Sequence, residues 1–193
     1  MIMIRKLSMD DLGRKSVQEY KASEKLPVTL LLDNVRSMHN VGSIFRTSDA
    51  FLIEKILLCG YTPRPPHRDI NKTALGATET VDWEFVENAR EAVLMLKSKG
   101  YLIVGVEQAE GSVLLAGFSV GADCRICLIL GNEVEGISDG LMPLCDQVIE
   151  IPQFGTKHSL NVSVAAGIVL YRISEIFNAM AGQTSGSLSQ FGS

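Results

Sequence analysis

Five short apolar runs punctuate the chain, at residues 28–32, 56–59, 102–106, 126–130 and 148–151. Dense apolar runs of this length predict strands covered on both faces. Between them the period lengthens. Residues 40–51 place Ile44, Phe45, Ser48 and Phe51 at helical spacing behind Asn40, a capping residue. Residues 88–99 predict a second helix, stopped by Gly100. Residues 159–177 predict a long final helix, apolar almost all round from Ser163 to Arg172 and therefore buried on several sides. Strands alternating with helices predict an α/β domain with a mainly parallel sheet flanked by helices.

The ends and one connection break the pattern. Residues 1–26 are polar and charged and predict an arm or short helix, with Ser8 as its cap. Residues 61–72 hold Pro63, Pro65 and Pro66 and predict a loop. Residues 179–193 are small and polar and predict a disordered tail. One domain, residues 27–178, is left between arm and tail.

Composition agrees with a single folded unit. The 193 residues are 46% hydrophobic and 21% charged, which excludes a disordered or collagen-like chain. No unbroken apolar run approaches the roughly 20 residues that span a bilayer. At the N-terminus charge follows the short apolar start, the reverse of a secretory signal. A soluble, cytoplasmic protein is expected, with no membrane contact. Cys59, Cys124, Cys127 and Cys145 read as reduced core thiols. Cys124 and Cys127 run into a strand, where residues three apart face opposite ways, so no metal site is expected.

Net charge is −4 but unevenly spread. Residues 1–72 carry 12 Lys and Arg against 8 Asp and Glu, and residues 73–193 carry 6 against 14. The N-terminal part is the side that suits a polyanion.

Three segments place polar residues where a strand ends and a loop or helix begins, the edge at which open α/β sheets bind ligands. The first runs from Asp33 through Asn40 and Gly42 to Arg46. A helix start and a guanidinium make a corner suited to phosphate, although taken alone the segment is better explained by a plain cap and a surface arginine. The second is Gly131-Asn-Glu133-Val-Glu-Gly136, where Gly131 leaves room for a ligand against the backbone and Glu133 is free to point inward. The third is Ser159-Leu-Asn161-Val-Ser163, at the head of the apolar helix. No G-x-G-x-x-G follows the first strand, and no G-x-S-x-G accompanies His158 and Ser159. Dinucleotide binding and serine hydrolysis both lack their signatures.

In order and spacing these segments resemble the three motifs of the SpoU/TrmH family of RNA ribose 2′-O-methyltransferases, within the SPOUT superfamily. The resemblance covers residues 28–177. It implies a C-terminal deep trefoil knot, an exception to the rule against knotted chains. It implies S-adenosylmethionine as cofactor, with Gly131, Ile151 and Leu160 lining its pocket. It implies a homodimer in which the arginine of one subunit serves the pocket of the other. Asn40, Arg46, Glu133, Ser159 and Asn161 are the implied catalytic set. Arg46 would grip phosphate and the 2′-hydroxyl, Asn40 would orient Arg46 or the ribose, Glu133 and Asn161 would hold the arginine and the substrate edge, and Ser159 would donate nearby. Arg64, His67, Arg68 and Lys72 in the proline-rich loop are the expected contacts to tRNA or rRNA. Two alternatives keep the scaffold: a SPOUT enzyme methylating a base atom, and a non-catalytic RNA-binding protein.

Overall fold

The computed structural model describes residues 5–8, 11 and 13–187, with side chains as far as residue 181. Seven strands form one parallel sheet in the order β3-β2-β1-β6-β4-β7-β5. They are β1 (Leu26–Asp33), β2 (Ile53–Cys59), β3 (Trp83–Val86), β4 (Tyr101–Val106), β5 (Val113–Leu114), β6 (Arg125–Leu130) and β7 (Gln147–Glu150). The helices are α1 (Val17–Ala22), α2 (Met38–Ala50), α3 (Arg68–Ala74), α4 (Ala77–Thr80), α5 (Ala89–Ser98) and α6 (Val162–Ser187).

Alternate strand residues feed two cores. Leu30, Leu32, Leu58, Leu128 and Leu130 pack with Ile44 and Phe45 of α2 and Val169, Leu170 and Ile173 of α6. Leu31, Leu57, Ile103, Cys127 and Ile129 pack with Ala92, Val93 and Leu96 of α5. A strand buried on both faces favours apolar residues at nearly every position, and in β1 only the buried Thr29 interrupts the run between Val28 and Leu32. Cys59 and Cys127 are buried in the α5-side core. Burial pushes the Cys59 thiol up to about 12 and raises Cys127 as well, so both stay protonated.

Several boundaries differ from the sequence expectation. α2 is capped by Ser37, whose hydroxyl accepts from the Asn40 N–H; Asn40 lies inside the first turn. The helix in the arm is α1, capped by Ser16 with Glu19 in a reciprocal capping box. Ser8 and Asp11 do exchange hydrogen bonds, but the residues between them lie outside the described ones. α3 begins two residues after Pro66, where the His67 ring accepts from the Asp69 N–H, so the proline-rich stretch ends in a helix. β3 and β5, of four and two residues, are too short to leave a periodic signal.

α6 starts at Val162 and runs to Ser187, into the stretch expected to be disordered; residues 188–193 lie outside the described ones. Its part Val162–Ala181 is long and apolar enough, by length and composition, to cross a bilayer. The count of unbroken runs missed this because Ser163, Arg172, Ser174 and Glu175 interrupt it. Its inner stripe, including Ala166 and Val169, is fully buried against the domain core, as in a core helix.

Candidate active site

Because every ladder is parallel, β1, β6, β4 and β7 all release their chains at the same edge of the sheet. Leu32 is in register with Leu130, Leu130 with Val106, and Val106 with Ile149. Around this edge lies a cleft of about 510 Å³, walled by residues 131–137, by residues 106–109 after β4 and by the 150–160 stretch. Gly131, Ile151, Leu160, Glu133 and Ser159 all line it.

The three segments meet beside the cleft through one hydrogen-bonded chain. Glu133 accepts from the Arg36 N–H at 3.0 Å, the Ser37 N–H at 3.1 Å and the Asn40 amide at 2.9 Å. Asn161 donates to the Asn40 side-chain oxygen at 3.0 Å. The Asn161 oxygen accepts from the Ser163 N–H at 2.8 Å and so caps α6. Partial burial raises the Glu133 pKa, yet the donors from Arg36, Asn40 and Ser37 outweigh it and hold the group below the usual glutamate value.

The phosphate-friendly corner at the start of α2 is filled by the protein's own carboxylate, Glu133. Within one chain, and among the described residues, neither Glu133 nor Asn161 bonds to Arg46, whose expected place is the pocket of a partner subunit. That side chain lies exposed on α2, away from the lining of the cleft, and among the described residues nothing bonds to it.

The glycines also act differently from their expected use. A Cβ at Gly131 would sit 2.2 Å from the Gly136 carbonyl carbon and from the Ile137 nitrogen. Its missing side chain lets the loop close on itself and leaves no extra room for a ligand. At Gly42 a Cβ would meet the Thr73 hydroxyl at 2.1 Å and the Ile70 carbonyl at 2.3 Å, so this glycine lets α3 pack on α2.

Two carboxylates have a part that sequence reasoning missed. Asp33, 1% exposed, accepts from the Ser138 N–H at 2.8 Å and from the Asn34 amide at 2.8 Å. Glu107 accepts from the Gln108 N–H at 3.0 Å and the Ile137 N–H at 3.2 Å. Both pin the 131–141 loop from strand ends. A charged residue terminating an apolar run was the available signal for each.

Arg64, Arg68 and Lys72 are exposed, and His67 is half-buried as the cap of α3. The Arg64 guanidinium stacks on the Phe85 ring with its carbon 4.4 Å from the centroid.

An open parallel sheet with a ligand cleft at its carboxyl edge, assembled from three loop segments, defines an α/β ligand-binding domain of the kind that SPOUT methyltransferases share. The profile of the SpoU rRNA Methylase family matches residues 27–171, and the chain belongs to that family. It is 33% identical over 144 residues to the 23S rRNA (guanosine-2′-O-)-methyltransferase RlmB of Neisseria meningitidis serogroup B, covering 75% of this chain and 56% of that protein. The solved TrmH/SpoU tRNA modifying enzyme of A. aeolicus matches with a TM-score of 0.76 at 28% identity, over 88% of this chain and 84% of that one. An AdoMet-bound rRNA methyltransferase from Sinorhizobium meliloti matches with a TM-score of 0.72 at 27% identity, over 79% and 57%. The chain spans between 56% and 62% of the length of the first curated relatives it matches.

Proposed function

We propose that this protein is an S-adenosylmethionine-dependent methyltransferase acting on a ribose 2′-hydroxyl of tRNA or rRNA. The observation that carries the reading is the hydrogen-bonded meeting of Glu133, Asn40 and Asn161 beside a cleft lined by Gly131, Ile151 and Leu160. The relatives bear names of the same activity, and one was solved with AdoMet bound.

The cleft suits the cofactor. Its volume falls within the roughly 300–1,000 Å³ usual for small-molecule sites. Glu107, Glu133, Glu135 and Glu150 line it without a lysine or arginine, an environment that favours a cationic ligand. S-adenosylmethionine supplies an electrophilic methyl on a sulfonium sulfur. Gly131, Ile151 and Leu160 would hold it, largely through their backbones.

The chain's own work is orientation and proton handling. Arg46 stays charged, since a guanidinium has a pKa above about 12, so it is a poor base. It grips a phosphate of the RNA and the 2′-hydroxyl together. Arg46 would hold the ribose hydroxyl in line with the methyl that the bound cofactor would supply, and the phosphate it grips would help to accept the hydroxyl proton. Glu133 and Asn161 fix Asn40 and the start of α2, and so set the helix from which Arg46 projects. Ser159 donates into the cleft.

Arg46 stands outside the cleft of its own chain, which suits a homodimer in which it serves the partner's cleft. Val164, Ile168 and Tyr171 leave an exposed apolar stripe on α6 at helical spacing, a surface for that partner. The trefoil knot, the cytoplasmic location and RNA contact through Arg64, His67, Arg68 and Lys72 belong to the same reading.

Calorimetric titration with S-adenosylmethionine and transfer of labelled methyl to RNA test it. Arg46→Ala abolishes transfer and leaves cofactor affinity nearly unchanged; Arg46→Lys also fails, because an ammonium cannot reproduce the planar fork. Absence of cofactor binding removes the reading, and near-normal single-turnover rates in Arg46→Lys reduce Arg46 to a positive charge. Sedimentation as a 21.0 kDa monomer at micromolar concentration removes the dimer.

A further inference from the structure

A second, wider cleft of about 1040 Å³ opens at the carboxyl ends of β1, β2 and β3. It is contiguous with the first through one loop: residues 131–137 line the cofactor cleft, and Ser138, Gly140 and Leu141 line this one. Tyr61 stands at its wall with 81% of its surface in solvent.

The ring is bare, but its attachment is held. The Tyr61 N–H donates to the Asn34 side-chain oxygen at 3.0 Å. Gly60, at a φ of 59°, brings the backbone so close that a Cβ would lie 2.2 Å from that same oxygen. Asn34 is itself held in the left-handed region, at a φ of 56°. The chain thus fixes the base of a side chain that its own fold does not use.

The surroundings say what the ring can take. Phe85 lines the cleft, and the Arg64 guanidinium, three residues along the chain from Tyr61, stacks on its ring. Arg90 lines the cleft as well, yet Glu87 and Glu91 in the same lining disfavour a buried phosphate. An uncharged, flat group inside with its phosphate outward meets all of these conditions. We propose that this cleft is a subsite for one unpaired nucleotide of the RNA substrate, whose base stacks on Tyr61 and whose phosphate lies toward Arg64. Every base offers a π-face to an exposed aromatic ring, and single-stranded RNA is held in this way. The inference rests on the RNA-methyltransferase reading and adds the place where an unpaired base is gripped.

Fluorescence anisotropy with labelled single-stranded oligoribonucleotides of mixed sequence tests it, alongside calorimetry with S-adenosylmethionine. Tyr61→Ala should weaken RNA binding about ten-fold, the size of one lost base stack. Tyr61→Phe should bind like the unaltered protein, and both variants should keep its cofactor affinity. Unchanged RNA affinity in Tyr61→Ala overturns the subsite, and so does a loss in Tyr61→Phe as large as that in Tyr61→Ala. If the unaltered protein binds the cofactor and methylates RNA while Tyr61→Ala loses nothing, the subsite falls and the enzyme reading stands. If the unaltered protein binds no RNA, both fall.

Discussion

Two loops wall the cleft at the carboxyl edge of the sheet, and they are built in opposite ways. Loop 131–141 is tied down at almost every turn. Asp33, Glu107 and Glu133 anchor it to β1, β4 and α2. Asn132 donates to the Asn34 carbonyl and accepts from the Val134 and Glu135 N–H groups, while Ile137 and Leu141 are buried. Loop 151–161 is nearly bare. Residues 154–161 are all exposed, and Phe154 is 95% exposed. The Gln108 amide donates to the His158 carbonyl, and Asn161 reaches Asn40 at the far end. The first wall is formed before a ligand arrives; the second belongs to the low-stability part of the molecule. Where backbone amides must face a cofactor, carboxylates at strand ends supply the rigidity that a loop lacks.

The contrast is most easily broken at Gly131. Gly131→Ala pushes a Cβ into backbone atoms on the opposite arm of the loop. It should abolish S-adenosylmethionine binding and lower stability by about 1–3 kcal/mol, read by calorimetry and urea unfolding. Normal cofactor affinity in this variant would mean that loop 131–141 yields as freely as its neighbour.

Asp33→Ala comes next. It strands the Ser138 N–H and the Asn34 amide and should cost about 1–3 kcal/mol, seen as a lower denaturation midpoint at unchanged slope. A smaller effect is expected from acid. The Glu133 pKa is lowered in the folded state, so its contribution is fully present above the ordinary glutamate value of about 4.3 and is lost as pH falls through the lowered one. The Arg36 and Ser37 amide resonances should report that titration, and Glu133→Gln should remove it. The least effect belongs to the bare loop: Phe154→Ser should change stability by no more than about 0.5 kcal/mol, while limited proteolysis cuts residues 154–160 first. Early cleavage within residues 131–141 instead would invert the comparison.

Much of the fold was legible because it is written in local patterns. The central strands are doubly buried and therefore show as dense apolar runs, broken in β1 only by Thr29, and α2 and α5 have a clear helical period. β3, β5, α3 and α4 were not legible. Each is two to seven residues long, and each is set by what it lies against: β3 by β2, β5 by β7, and α3 by the close approach that Gly42 allows. The end of α6 escaped as well, since small polar residues carry little signal for a helix.

The candidate site divides along the same line. Residue types and position at strand ends singled out the segments around Asn40, Glu133 and Asn161, because chemistry restricts which side chains stand there; the resemblance to the SpoU/TrmH motifs is what implied Gly131, Ile151 and Leu160 as lining. Their partners were decided by tertiary structure. Glu133 and Asn40 are 93 residues apart in the chain, and Asn161 and Asn40 are 121 apart. Only the parallel stacking of β1, β6, β4 and β7 brings those loops to one edge, and no local pattern carries a contact between strand ends so distant. That same packing makes Gly131 a joint within its loop, gives the start of α2 to Glu133, and leaves the Arg46 side chain on the surface with no bonded partner among the described residues.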